Sequence, residues 1–484
     1  MPDGQPNLCA NSGNVRGIDG GGRACDIAGY MQALDTSLVD LAVSLVERLR
    51  TMGADHAEVS ASSGWDLSTR VRLGKVEQVE EAGQRHVSVR AIRDARVALT
   101  STSDLSPDGI TRCLNDAMEL VGLSEPDPDA APASPHQLAS APFPDLETYD
   151  PALEQIDANQ AIELATVAER AALDFDSSRV GNSEGASFGR SVGQSALAFS
   201  NGFVGTRQGS HVSLVVTPVA DDTDGKKRRG HYYSIARFLE DLEAPAIVGA
   251  EAAKRTLAQL GARSVATCQA SVVFSPDAAR AIISAFAGCI VGGSLWRRSS
   301  YLLGREGTPV ASSLVTLVDD PLLRRGLGSR AFDGEGLPCR KLTVVEQGQY
   351  RTPLLDCLSA RKLGRDSTGS ASRGGGAISA GTSNLVLLPG TITEEKLIAD
   401  TPRGLYVTDM MGFGFNPVTG DFSRGASGFW IENGELTHPV SEVTISSNLD
   451  AMLKGINAIA ETPRPRSSII APAFRIASMT IAGK

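Results

Sequence analysis

Apolar and polar positions change period several times along the chain, and each change marks an element. Over 37–50 the run SLVDLAVSLVERLR spaces leucine and valine as one helical face, with Gly53 placed to cap it. Strand alternation follows: Leu67, Thr69, Val71 and Leu73 interleave with Ser68, Arg70 and Arg72, and Val87, Val89 and Ala91 repeat the pattern before Asp94-Ala95 turns into 97–100. Ser106-Pro107-Asp108 predicts a helix start running to about Val121. A first region of helix, meander and helix is expected over 39–123, after an extension over 1–38 expected to be disordered.

Residues 124–152 lose all periodicity and gain Pro, Ala, Asp and Ser, which marks a linker or a long surface loop. A middle region, 153–263, opens on an Ala-rich amphipathic helix over Asn159–Asp174. Two strands then meet at Asn201-Gly202, His211–Val219 extends the sheet, and a helix spans about 244–261. The C-terminal region, 264–484, begins with a strand over Ala270–Phe274 and a helix capped by Ser275-Pro276-Asp277. That helix, DAARAIISAFAGCIV, is apolar nearly all round, so it is expected to be buried between layers and ended by Gly292-Gly293. Strands follow at Val315–Val318, Lys341–Glu346, Asn384–Leu388 and Leu405–Thr408, joined by Gly and Asp turns that imply antiparallel pairing, with a long loop over 364–381. The predicted class is α+β: a helix and antiparallel-sheet region followed by a β-rich C-terminal domain with a buried helix.

At 484 residues the chain has room for two or three cores. A formal charge of −10 argues against broad nucleic-acid binding, and the one basic run, KKRR at 226–229, follows Asp221, Asp222 and Asp224 and reads as a solvated loop. Seven scattered cysteines without a CxxC pair fit reduced thiols in a cytoplasm. No window of 18 apolar residues predicts a membrane span, and the first 30 residues lack the pattern of a secretory signal. Because the helical pattern opens near Met31, translation from Met31 is an expectation that intact mass would test.

Candidate chemistry concentrates in Gly404–Ile445, where Asn433-Gly434 fits a type I′ hairpin turn and Asp421, Arg424, Glu432 and His438 punctuate the strands. Those four residues form either the wall of a site or a solvated hairpin with no ligand. Asp319, Asp320, Asp333 and Glu335 form a second candidate, as hard-cation ligands or a general-base pair, against the alternative that they shape turns. None of the six histidines, His56, His86, His136, His211, His231 and His438, lies within a helical turn of another, so a locally encoded zinc-peptidase helix is absent. SRGGG at 372–376 lacks the Gly-Lys-Ser/Thr of a phosphate loop and reads as a surface loop. GFG at 412–414 meets Asn416-Pro417 where a dinucleotide helix should start.

GGSLWRRSSYLLGREGTPVASSLVTLVDDP, GSRAFDGEGLPCR, STGSASRGGG and above all MGFGFNPVTGDFSRGASGFWIENGELTHPVSEVTISSNLDAML resemble the PmbA/TldE branch of the TldD/PmbA family, a likeness that extends over about 39–484. The resemblance implies a subunit of a peptide-degrading metalloprotease, paired as a heterodimer with a TldD-type chain, or with itself, around a cavity. It implies peptide substrates, zinc in the partner, and no nucleic acid or membrane. The sister's HExxxH zinc helix matches ISAFAGCIVGG here, which has neither His nor Glu, and the sister's C-terminal Cys ligand has no counterpart after Cys357. By that comparison this chain binds no cofactor and has no catalytic residue of its own. Two alternatives stay open: a self-contained metal-dependent peptidase with another site, and a non-enzymatic modulator of DNA gyrase or of toxin-antitoxin proteins.

Overall fold

The computed structural model describes residues 27–374, 377–461 and 465–483, with backbone alone at 27–36 and at Asp224. Helix α1 spans Ile27–Thr51 and ends at Gly53, whose φ of +96° suits a residue without a Cβ. The helix starts before Met31, so 27–38 is helical where the sequence suggested a disordered extension. The expectation for 1–26 lies outside the described residues.

Three strands follow, β1 (His56–Arg72), β2 (Lys75–Arg93) and β3 (Arg96–Thr102), then α2 (Pro107–Leu123), whose first turn is closed by Ser106 Oγ accepting from Gly109 N. The middle region supplies α3 (Ala158–Asp174), β4 (Asn182–Phe199), β5 (Val204–Asp221), β6 (Lys227–Arg229), β7 (Tyr232–Ala236) and α4 (Pro245–Leu257). The two regions share one sheet in the order β3-β2-β1-β4-β5-β6, with β7 also on β5. β1 and β4 pair from Glu58↔Phe199 to Val71↔Ala186. Both helix pairs cover the same face, where most apolar positions of the strands fall; Leu197 and Phe199 of β4 lie on the other face, packed with Phe203 and Phe332. Val59, Val89 and Ala196 pack under α1 and α2, and Leu67, Phe188 and Leu214 under α3 and α4. The opposite face is left for the C-terminal domain.

The segment 124–152 is a strap between the two halves. Arg361 donates to the carbonyls of Asp129 at 2.7 Å and Pro132 at 2.9 Å, and Ala139 N donates to Gly336 O at 2.8 Å. The basic run is an edge strand, not a loop. Lys227 pairs with Asp221, Arg228 with Asp222 at 2.7 Å and Arg229 with Glu184 at 3.3 Å, so its charge is answered locally.

The C-terminal domain contains β8 (Cys268–Phe274), α5 (Pro276–Ile290), α6 (Gly292–Trp296), β9 (Leu317–Asp319), β10 (Leu342–Glu346), β11 (Gln349–Tyr350) and α7 (Cys357–Lys362). It continues with β12 (Ala371–Gly374), β13 (Ala377–Ala380), β14 (Leu385–Leu387), β15 (Arg403–Met411), β16 (Asp421–Glu432), β17 (Glu435–Asn448), β18 (Ile456–Ile459), β19 (Ile469–Ile470) and β20 (Phe474–Ala482). One sheet runs β17-β16-β15-β8-β20-β18 and the other β11-β10-β9-β14-β19. Helix α5 lies between them: Ile282, Ile283, Phe286 and Ile290 pack on Val272 and Leu405 of one sheet and Leu317 and Leu385 of the other. The all-round apolar pattern has this cause.

Three local expectations are corrected. Pairing is not all antiparallel, since β15 runs parallel to β8 and β14 parallel to β19. Gly292-Gly293 does not end α5, which stops at Ile290. The two glycines open α6, where a Cβ on Gly292 would lie 2.0 Å from Ser359 Oγ. Ser372 and Arg373 belong to the β12–β13 hairpin, not to a surface loop, and Gly375-Gly376 fall outside the described residues.

Candidate functional site

The four carboxylates of the second sequence candidate do not form one site. Asp319 accepts from Ser383 N at 2.8 Å and Ser383 Oγ at 2.9 Å, and Asp320 accepts from Leu322 N at 3.0 Å across the Pro321 turn. Asp333 is fully buried and accepts from the amides of Glu335, Leu337 and Ala371. Glu335 accepts from Cys357 N at 2.7 Å, which ties the 333–337 turn to α7. These oxygens hold loops together, and the turn-shaping alternative describes them.

Burial, reinforced by the charge of Asp333, pushes the Glu335 carboxyl up to about 8. A raised carboxyl stabilises the fold fully below its unfolded value near 4.5, and that contribution is lost as pH rises toward 8. Glu335→Gln keeps an oxygen for Cys357 N and removes the titration. Urea midpoints of the variant should therefore fall less over that window than those of the parent, and parallel pH curves would contradict the assignment.

The hairpin residues separate in the same way. Asp421 sits at the start of β16, held by Thr419 Oγ1 at 2.6 Å and Asn448 Nδ2 at 3.3 Å, whereas Glu432 sits at its end beside the turn. Eleven steps of about 3.3 Å put roughly 36 Å between them. Arg424 shares the face of Phe422 and Ala426, both in the core, has a buried Nε without a partner, and forms no ion pair with Asp421. His438 lies opposite the buried Trp430 near Glu432; burial and the charge of Arg263 lower its pKa. The four residues therefore do not make one wall. Asn433 and Gly434 have φ of +54° and +79°, as a type I′ turn requires.

What sequence reasoning missed is a cavity of about 560 Å³ between the open face of the large sheet, the strap at 143–148 and the loop at 329–332. It brings His86 and His211 to one chamber, although 125 positions separate them in the chain. The signal available was Gly64, Gly193 and Gly209, each interrupting an otherwise regular strand pattern.

The remaining position of chemical interest is the solvent side of α5. Ser284 and Gly288, four residues apart and so on one face, are exposed, and a Cβ on Gly288 would meet nothing within 4 Å.

Family models for the PmbA/TldA metallopeptidase match three segments: domain 1 over 57–121, the central domain over 151–260 and the C-terminal domain over 267–483. The chain belongs to the PmbA/TldD metallopeptidase family. It is 35% identical over 447 residues to Metalloprotease PmbA of Escherichia coli O157:H7, covering 92% of this chain and 96% of that one. It is 36% identical over 445 residues to the PmbA homolog of Haemophilus influenzae, covering 91% and 95%. The Metalloprotease TldD homolog of the same organism matches at 28% over 263 residues, covering 52% and 54%. A Bacteroides thetaiotaomicron structure named for a modulator of DNA gyrase superposes with a TM-score of 0.86 at 27% identity, covering 92% and 98%. TldE from Thermococcus kodakarensis shares the fold, with a TM-score of 0.80 at 21% identity, covering 91% and 99%.

A metallopeptidase family implies a metal, so the donors on α5 matter. Ser284 and Gly288 supply no anionic or imidazole ligand, and burial pushes the Cys289 thiol up to about 12, far from the thiolate that binds metal. Among the described residues no three His, Cys, Asp or Glu side chains group as a metal site. Ser284, Gly288 and Cys289 on α5 therefore do not supply the donor set of a catalytic zinc. No described helix is long and apolar enough to cross a membrane.

Proposed function

We propose that this chain is the non-catalytic partner of a TldD-type metallopeptidase subunit, acting with it on small or unfolded peptides, with zinc held by the partner. The observation that carries the reading is the exposed face of α5, where Ser284 and Gly288 stand on the helix that the family resemblance matches to the zinc helix. Water activation by zinc needs about three protein ligands and an open position, which this helix cannot supply. The occurrence of both a PmbA homolog and a TldD homolog in Haemophilus influenzae supports a division of labour between two chains. The self-contained peptidase reading is disfavoured by Asp319, Asp320, Asp333 and Glu335, each of which accepts from backbone amides, with the Ser383 hydroxyl also on Asp319 and Lys341 3.5 Å from Asp320.

The pairing has a direct test. Mixed with the TldD-type chain of its own cell, this protein should elute from a sizing column as a complex earlier than either chain. Two unshifted peaks at micromolar concentration would remove the partner from the account.

A further inference from the structure

The open face of the large sheet has a grid of aligned residues at its centre. In register across four strands lie His86, Ser62, Ser195 and Arg207, then Gln84, Gly64, Gly193 and Gly209, then Ala82, Asp66, Ser191 and His211. The middle row therefore has three consecutive positions without side chains. It forms a gully across the strands, banked by hydroxyl-bearing rows and roofed by the cavity described above. Three strand spacings of about 4.8 Å give the gully a length of roughly 14 Å, the reach of about four extended residues.

The β5 end of this gully is cationic. Arg207 gives Nη2 to the carbonyls of Phe332 at 2.6 Å and Asp333 at 2.8 Å, leaving Nη1 without a partner among the described residues and a buried Nε unpartnered. Arg237 reaches over Gly209, where a Cβ would lie 3.3 Å from Nη1, and its hydrogen bonds go to the carbonyls of Ser210, Gly326 and Leu327. Arg330 also lines the cavity with its buried Nε unpartnered. None of the three guanidiniums is in an ion pair among the described residues, which is unusual for partly buried arginines. Two carboxylates complete the lining: Asp66, on the other bank, accepts from Gln84 at 3.3 Å, and Asp145 accepts from Glu147 N at 2.9 Å. Burial and the neighbouring charge of Arg330 push Arg207 down to about 10, against the opposing pull of Asp333.

We infer that this gully binds the C-terminal end of a short extended peptide, with its terminal carboxylate held by Arg207, Arg237 and Arg330. The inference rests on peptides being what the chain handles. A planar carboxylate accepts paired N–H donors from guanidinium, and the serine rows offer hydroxyls to the peptide amides. Glycine at Gly64 and Gly193 lets a second backbone approach the sheet face.

The test uses the full chain alone, with no partner, metal or turnover, so its failure is separable from failure of the partner-subunit reading. Tetrapeptides carrying an N-terminal fluorophore are titrated as free acid and as C-terminal amide, with anisotropy as the readout. The acid should bind at least tenfold more tightly; equal affinities would overturn the proposal. Ser195→Asp places a carboxylate beside Arg207 on a half-exposed position. It should abolish the preference without lowering the melting temperature, and a retained preference would count against the site. Inorganic phosphate should compete far less well than unlabelled acid peptide, and equal competition would reduce the gully to a general oxyanion site and overturn the peptide assignment.

Discussion

Glu58→Gln is expected to destabilise the protein by about 3–5 kcal/mol, the range for removing one member of a buried ion pair. Glu58, on β1, is 2% exposed and lies between Arg90 of β2 and Arg373 of the β12–β13 hairpin, with one carboxylate oxygen to each. Arg90 also donates to Ala130 O of the strap, and Arg373 to Gly334 O at 3.0 Å. One carboxylate thus joins the large sheet, the strap and the C-terminal domain. Glutamine keeps the shape and removes the charge, which leaves two guanidiniums facing each other in a closed space. Burial alone would raise this carboxyl, but Arg90 and Arg373 outweigh it and hold it below its usual value. Stability from a depressed carboxyl is present above its unfolded pKa and is lost as pH falls through the folded one, so the parent should weaken in acid. The variant should lack that acid limb. A urea-derived loss under 1 kcal/mol would show that the two halves are joined elsewhere.

Phe286→Ala should cost a similar amount, about 3–5 kcal/mol, for a different reason. Phe286 is fully buried on α5 between two sheets, and neither sheet can follow a shrinking side chain without losing its own pairing. The void would remain largely open and its lining would lose dispersion contacts. Phe286→Leu, which retains most of the volume, should cost less than half as much. If alanine and leucine were equivalent, the helix would not be clamped as described. Ser284→Ala on the exposed face of the same helix should change stability by less than about 0.5 kcal/mol, which would separate packing from exposure along one helix.

Local signals in the sequence read well where the chain closes on itself. Ser106-Pro107 started α2, Ser275-Pro276 started α5, and Asn433-Gly434 made its turn, because caps and tight turns are set by a few adjacent residues. Pairings between distant segments left no such mark. β1 meets β4, and β8 meets β15 in parallel, each across more than a hundred positions, so the shared sheet and the parallel pairs were not legible. The acidic segment misled for a physical reason: Asp333 and Glu335 bind amides of their own turn and of α7, and spacing does not distinguish an anion that caps loops from one that waits for a ligand. The glycine row escaped notice because its three members matter only once their strands are aligned. The strongest functional signal was the lack of His and Glu in ISAFAGCIVGG, on the helix that the family resemblance matches to a zinc helix.

The central claim, that catalysis belongs to a second chain, is tested most directly by metal content and peptide hydrolysis measured on the same samples. The purified chain should carry less than a tenth of an equivalent of zinc and cleave no unfolded peptide. Mixed with a TldD-type chain, it should give metal-dependent hydrolysis that saturates at a fixed ratio of the two. Stoichiometric metal and chelator-sensitive hydrolysis by this chain alone would contradict the account.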